Sequence, residues 1–202
     1  FLNYAGEELG HALAIAFGAI IDNPDLIVAC VISDREAETG ATATAWDSYK
    51  LIDPAKSGAV LPILYLNDDK TSTSAIYGAM SNIELQQRFA GYGYQVRIVG
   101  SQKDQSDKDL AIQDAIDLNA DLNADLYGSL DWAYREICSI QQAARLGQAI
   151  AQPKFPLLIV RSLQARTGIQ ETDGASIKES HRAHHISTKD LKRHPQQLQL
   201  LE

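Results

Sequence analysis

The apolar residues Leu9, Leu13, Ala16, Phe17, Ile20 and Ile21 recur at spacings of three and four and predict a helix from Glu8 to Ile21. Asn23-Pro24-Asp25 breaks it. Leu26 to Ile32 follows as a nearly continuous apolar run rich in β-branched residues, the pattern of a parallel strand buried on both faces. The alternation then repeats: a polar loop from Ser33, a helix around Thr42 to Leu51, a Ser57-Gly58 turn and a second apolar strand from Val60 to Leu66. A loop at Asn67 to Ser74, a helix around Asn82 to Ala90 and a third strand near Tyr94 to Val99 complete the next unit.

Asp107 to Gln152 is strongly helical in pattern and contains the tandem Leu118-Asn-Ala-Asp-Leu-Asn-Ala-Asp-Leu126. Leu118, Leu122 and Leu126 share one helical face, so the repeat either lengthens an amphipathic helix, the favoured reading, or loops out. Phe155 to Val160 is a fourth apolar strand, followed by a polar stretch with Gly168 and Gly174 and a His-rich tail. Strands alternating with helices predict an α/β fold: a doubly wound, mostly parallel sheet with helices on both faces. One domain is expected over residues 1–185, with 186–202 an irregular tail.

A chain of 202 residues, 45% hydrophobic, suits one globular domain and excludes a disordered tail or a collagen-like fibre. With 18 Lys and Arg against 26 Asp and Glu, the net charge of −8 excludes a broad footprint for nucleic acid or anionic membrane but leaves room for a local phosphate site. No run reaches the roughly 18 apolar residues of a membrane span, and no basic segment precedes an apolar signal core. A cytoplasmic location is expected. Cys30 and Cys138 read as small buried hydrophobes rather than a disulfide framework or zinc ligands. The chain opens on Phe1 and its only methionine is Met80, which reads as a processed chain or an interior piece.

In a doubly wound sheet, ligands sit outside the carboxyl ends of the strands. The loops there hold Ser33-Asp-Arg-Glu-Ala-Glu-Thr-Gly40 and Asn67-Asp-Asp-Lys-Thr71. Asp34 and Asn67 supply hard oxygen ligands from two strand ends, as Mg²⁺ holding a diphosphate requires; the same residue types also cap helices and turns. His181, His184, His185 and His194 lack the cysteines or regular spacing of a metal cluster. Tyr92, Tyr94, Trp46 and Trp132 read as packing residues.

Asp22-Asn-Pro-Asp-Leu-Ile-Val-Ala-Cys-Val31, Glu36-Ala-Glu-Thr-Gly40 and Gly58-Ala-Val-Leu-Pro-Ile-Leu64 resemble the amino-terminal thiamine-diphosphate domain of the xylulose-5-phosphate/fructose-6-phosphate phosphoketolases. The likeness runs from about Gly6 through Arg182-Ala-His184. It implies a transketolase-like fold, thiamine diphosphate and Mg²⁺ as cofactors, and aldehyde-lyase cleavage of a ketose phosphate by inorganic phosphate to acetyl phosphate and an aldose phosphate. By resemblance, Asp34, Asn67 and the carbonyl of Asp69 are metal ligands, and His184 faces cofactor and substrate as the catalytic candidate. Ser33, Asp34, Arg35, Glu36, Asn67 and Gln164 line the cofactor, Glu36 from behind and Glu38 at the start of the next helix.

The departures from that family fall on the cofactor side. Ser33 and Arg35 replace glycines, Glu7 replaces another, and Gln164 replaces a lysine; Ile15, Asp47 and Tyr65 replace histidines. Asp68 and Asp69 replace Gly-Tyr, and a carboxylate about 6 Å from a unit anionic charge repels it by roughly 3 kcal/mol at an effective dielectric near 20. These changes are expected to weaken cofactor binding. The resemblance also places a pyrimidine-binding domain beyond Glu202, so the chain alone is expected to be weak or inactive. The alternative is a non-catalytic subunit or decayed remnant that pairs with itself or with a full-length phosphoketolase.

Overall fold

The computed structural model describes residues 8–67, 75–100, 112–148, 152–162, 171–172 and 175–176. Strands β1 (Ile27–Ser33), β2 (Ala59–Asn67), β3 (Gln95–Val99) and β4 (Pro156–Ser162) form one parallel sheet in the order β1-β2-β4-β3. A two-residue antiparallel pair, β5 (Glu171–Thr172) and β6 (Ala175–Ser176), stands apart from it. The helices are α1 (Ala12–Ile20), α2 (Asp34–Ala37), α3 (Gly40–Thr44), α4 (Ile76–Ala79), α5 (Asn82–Tyr92) and α6 (Ile112–Arg145), with a 3-10 turn over Ala45–Leu51.

Side chains alternate across each strand, so every strand presents two faces. On one face α1 buries Leu13, Phe17 and Ile20 against β1 and β2. Nearby, Trp46 meets Phe89 edge-on with ring centroids 4.8 Å apart, and the Tyr94 hydroxyl donates to the Trp46 carbonyl at 2.8 Å. Burial pushes that phenol well above its ordinary range, so it stays a neutral donor. On the opposite face α6 covers β3 and β4, its Trp132 ring carrying the Arg97 guanidinium at 4.7 Å. Register carries that face from Arg97 through Leu158 and Ile63 to Val31.

The parallel α/β architecture with helices on both faces is as the pattern predicts, and the four strands lie within two residues of their expected bounds. The Leu118 to Leu126 repeat lengthens α6, which runs unbroken for 34 residues. Four details differ. Helix α1 starts at Ala12 rather than Glu8, because Gly10 takes φ +94° and breaks the helical path. The polar loop expected at Ser33 is helix α2, and the helix expected over Thr42 to Leu51 is α3 followed by the 3-10 turn. Helix α4 has no apolar period to announce it.

The fourth difference concerns β1, expected to be buried on both faces. Cys30 and Ile32 are buried, but Ala29 is exposed and Val31 is 67% exposed. Among the described residues β1 is an edge strand with one strand neighbour, and α6 lies over β3 and β4 instead. The residue 68–74 loop, the stretch with Gly168 and Gly174 and the His-rich tail with its 185/186 boundary lie outside the described residues. No described helix is long and apolar enough to cross a membrane.

Phe89→Ala removes a fully buried ring and is expected to cost about 3–5 kcal/mol in urea unfolding, whereas Leu51→Ser, at a side chain open to solvent, should stay within about 0.5 kcal/mol.

Candidate functional site

The carboxyl ends of β1, β2 and β4 stand side by side. Ser33 is in register with Tyr65, and Asn67 with Ser162, so Asp34 and Asn67 close two neighbouring strands. The chain passes from β1 into α2 without a loop. Ser33, at φ −74° and ψ 165°, caps the helix, its Oγ accepting the Glu36 N–H at 3.3 Å. Among the described residues Asp22 is the one non-glycine at positive φ, so Ser33 and Arg35 sit here without left-handed strain. What they add where the resemblance expects glycine is bulk.

Asp34 is half-buried at the first position of α2. Its Oδ1 accepts the Arg35 N–H at 2.8 Å, and its Oδ2 lies 3.4 Å from where a Cβ on Gly78 would stand. Gly78, on α4, is therefore the wall behind this carboxylate, a contact that no periodicity could reveal. Two bonds dock α4 here. Glu38 Oε1 accepts the Tyr77 N–H at 2.7 Å, and Arg161, one residue from the end of β4, donates to the Met80 carbonyl.

Glu36 points away from the strand ends. Its Oε2 accepts the Gly10 N–H at 2.5 Å, and its Oε1 accepts the Ala12 N–H and the Thr42 hydroxyl, both at 2.8 Å. Thr42 Oγ1 in turn accepts the Leu13 N–H at 3.2 Å. Burial alone would raise this carboxyl's pKa, but the bonds from Gly10, Ala12, Thr42 and His11 outweigh it and hold the value below the ordinary glutamate range. The clasp draws two glycine backbones together. A Cβ on Gly10 would lie 2.8 Å from the Thr39 carbonyl oxygen, and one on Gly40 3.0 Å from the Gly10 oxygen.

The sequence contained half of this signal: Ser33-Asp-Arg-Glu36 has the spacing of a capping box. In α5 the same spacing closes fully, Ser81 and Glu84 bonding reciprocally. In α2 only the serine half forms, because the Glu36 carboxylate serves α1 instead. Cys30, beside it, has its thiol pushed up to about 12 by burial and the Glu36 charge, so it is an inert packing group. Cys30 and Cys138 are both free.

The structure thus brings Ser33, Asp34, Arg35 and the end of β2 at Asn67 to one rim, with Glu36 beneath it. Asp69, Gln164 and His184, together with the other tail histidines, lie outside the described residues. Among the described residues no three His, Cys, Asp or Glu side chains gather as a metal cluster. Asp34 and Asn67 fit a hard divalent cation in donor type and in placement at adjoining strand ends, with further ligands required from elsewhere.

In parallel α/β domains of this class, ligands sit outside the carboxyl ends of the strands, where Asp34 and Asn67 stand. Within it, residues 3–202 match the family described as XFP N-terminal domain, and the chain belongs to that family. It is 42% identical over 199 residues to a probable phosphoketolase of Nitrosomonas europaea, covering 98% of this chain and 23% of that protein. A probable phosphoketolase of Gloeobacter violaceus is 39% identical over 200 residues, with 98% and 23% covered. One of Schizosaccharomyces pombe is 38% identical over 199, with 98% and 22% covered. The chain spans less than a quarter of the length of these curated relatives.

Glu36→Gln presents an amide NH₂ to donors that need acceptors and is expected to cost about 1–3 kcal/mol at neutral pH. A carboxyl with a depressed folded-state pKa contributes stability that is present above its unfolded value, near 4.5, and is lost as pH falls through the folded value. The difference between wild type and Glu36→Gln in urea midpoint should therefore be largest at pH 7 and shrink as the pH is lowered through that window.

Proposed function

We propose that the chain is the diphosphate-side domain of a phosphoketolase-type lyase, one that cleaves a ketose phosphate with inorganic phosphate to acetyl phosphate and an aldose phosphate. The observation that carries this reading is the pairing of Asp34 and Asn67 at the carboxyl ends of neighbouring parallel strands. Names and identities of the relatives support it.

On this reading Asp34 and Asn67, with the Asp69 carbonyl, hold Mg²⁺, and Ser33, Arg35 and Gln164 border the diphosphate. Thiamine diphosphate, when bound, supplies carbanion stabilisation. The chain's own residues orient and exclude. Gly78 backs the Asp34 carboxylate, Glu36 fixes the backbone beneath α2, and His184 is the group that faces the reacting centre. Groups from outside this chain are needed to complete the site, since less than a quarter of the relatives' length is present.

A second reading has an observation of its own. Ser33 Oγ and Asp34 Oδ1 both take backbone N–H groups of α2, so the turn is satisfied without a ligand. This favours a non-catalytic domain that pairs with a full-length phosphoketolase.

Calorimetric titration of the chain with thiamine diphosphate separates the two. The lyase reading expects binding that requires Mg²⁺, is lost in Asp34→Ala, and is strengthened in the double variant Ser33→Gly, Arg35→Gly by roughly tenfold, about 1.4 kcal/mol. Heat that is unchanged by removing Mg²⁺ or Asp34, or no binding by chain and double variant alike, would leave the non-catalytic reading.

A further inference from the structure

The sequence of β1 and the structure around it disagree, and the disagreement has a shape. Leu26 to Ile32 is apolar at every position, as in strands covered on both faces, yet Ala29 and Val31 are open to solvent. Ile63 of β2, in register with Val31, and Tyr65 are only partly buried on the same face. Helix α6 explains why. Its amino-terminal half lies beside the carboxyl end of β3, where Asp125 accepts the Gly100 N–H at 3.4 Å. Its carboxyl end reaches the start of β1, where Arg145 donates to the Pro24 carbonyl at 2.5 Å and pairs with Asp25 at 3.4 Å. The helix thus crosses the sheet obliquely and, among the described residues, leaves one corner bare, over the carboxyl halves of β1 and β2.

That corner is a slot with a floor and a wall. The floor is Ala29, Val31, Ile63 and Tyr65. The wall is read from helical spacing: Gln141 and Arg145 of α6 reach the Ser57 and Pro24 carbonyls, and Tyr134 and Cys138 continue that line at helical spacing. Tyr134 is 58% exposed. Two strands at about 4.8 Å spacing span about 10 Å, the width of one helix packed beside another at the usual 8–10 Å. Ala29, Val31, Ile63, Tyr65, Tyr134 and Cys138 are all uncharged, and the Arg145–Asp25 pair stands at the end of the slot near the start of β1.

We propose that this slot is the seat of one helix, packed beside α6 through an uncharged aliphatic face and supplied by the part of a phosphoketolase-length polypeptide that this chain does not include. The length argues for that source: the relatives carry more than three quarters of their residues outside the matched segment. A second copy of this chain is the weaker occupant, because its net charge of −8 opposes self-association. The slot does not depend on cofactor binding at Asp34, so the two readings fail separately.

The test is thiol labelling at the floor. In the chain with Cys138→Ser, Val31→Cys offers one exposed thiol beside the buried Cys30, and a maleimide should modify it at the rate of a free thiol. A cysteine at the aligned position of the full-length Nitrosomonas europaea phosphoketolase should react slower by at least an order of magnitude. Val31→Lys in the chain should leave its unfolding midpoint in place, since the side chain is already in water, while lowering binding of an apolar dye severalfold. Equal labelling in chain and full-length relative would overturn the proposal. So would labelling of the chain that slows as its own concentration rises, which would assign the slot to a second copy.

Discussion

The carboxylate of Glu36 is the contact on which the rest of this domain's functional end depends. Helix α1 begins with no side chain of its own at the cap, His11 making no such bond, so its first N–H groups must find an acceptor elsewhere. Glu36 accepts the first of them, the Ala12 N–H, from 24 residues away, takes the Gly10 N–H just before the helix and adds the Thr42 hydroxyl, so one anion fastens α1, α2 and α3. An anion at a helix amino terminus is favoured by the helix dipole as well as by the bonds themselves. The result is a fixed platform beneath Asp34. The close approach of Gly10 and Gly40 is part of the same joint, since a side chain at either would force the segments apart.

The strand-end rim above this platform is built from ordinary backbone. Ser33 and Arg35 adopt conformations open to any residue, so neither position needs glycine for its backbone. The turn is a self-capped helix start, and on the lyase reading proposed above a diphosphate held there would meet the Ser33 and Arg35 side chains.

The four strands were legible because an apolar, β-branched run bounded by turn residues has few other readings, and their parallel order follows from the intervening helices. The absence of a loop after β1 was not legible. Ser33-Asp-Arg-Glu36 is polar enough to read as a loop, and only its capping-box spacing hints otherwise. Asp34 and Asn67 were singled out by the rule that strand ends carry ligands, together with the family resemblance, and both stand at adjoining strand ends. The direction taken by Glu36 was not found, because its partners are far away in sequence, and neither was Gly78, whose role is to have no side chain. The bare face of β1 was misread for a telling reason: the pattern reports what the strand is suited to, and the structure reports what covers it among the described residues.

The proposed lyase role requires the ends of β1 and β2 to hold a divalent cation. Diffraction from crystals of the chain grown with Mn²⁺ and thiamine diphosphate reads this out through the anomalous signal of the metal. A single strong peak within coordinating distance of the Asp34 carboxylate and of Asn67 is expected. Well-ordered strand ends with no peak there, or a peak bound only at the tail histidines, would contradict it.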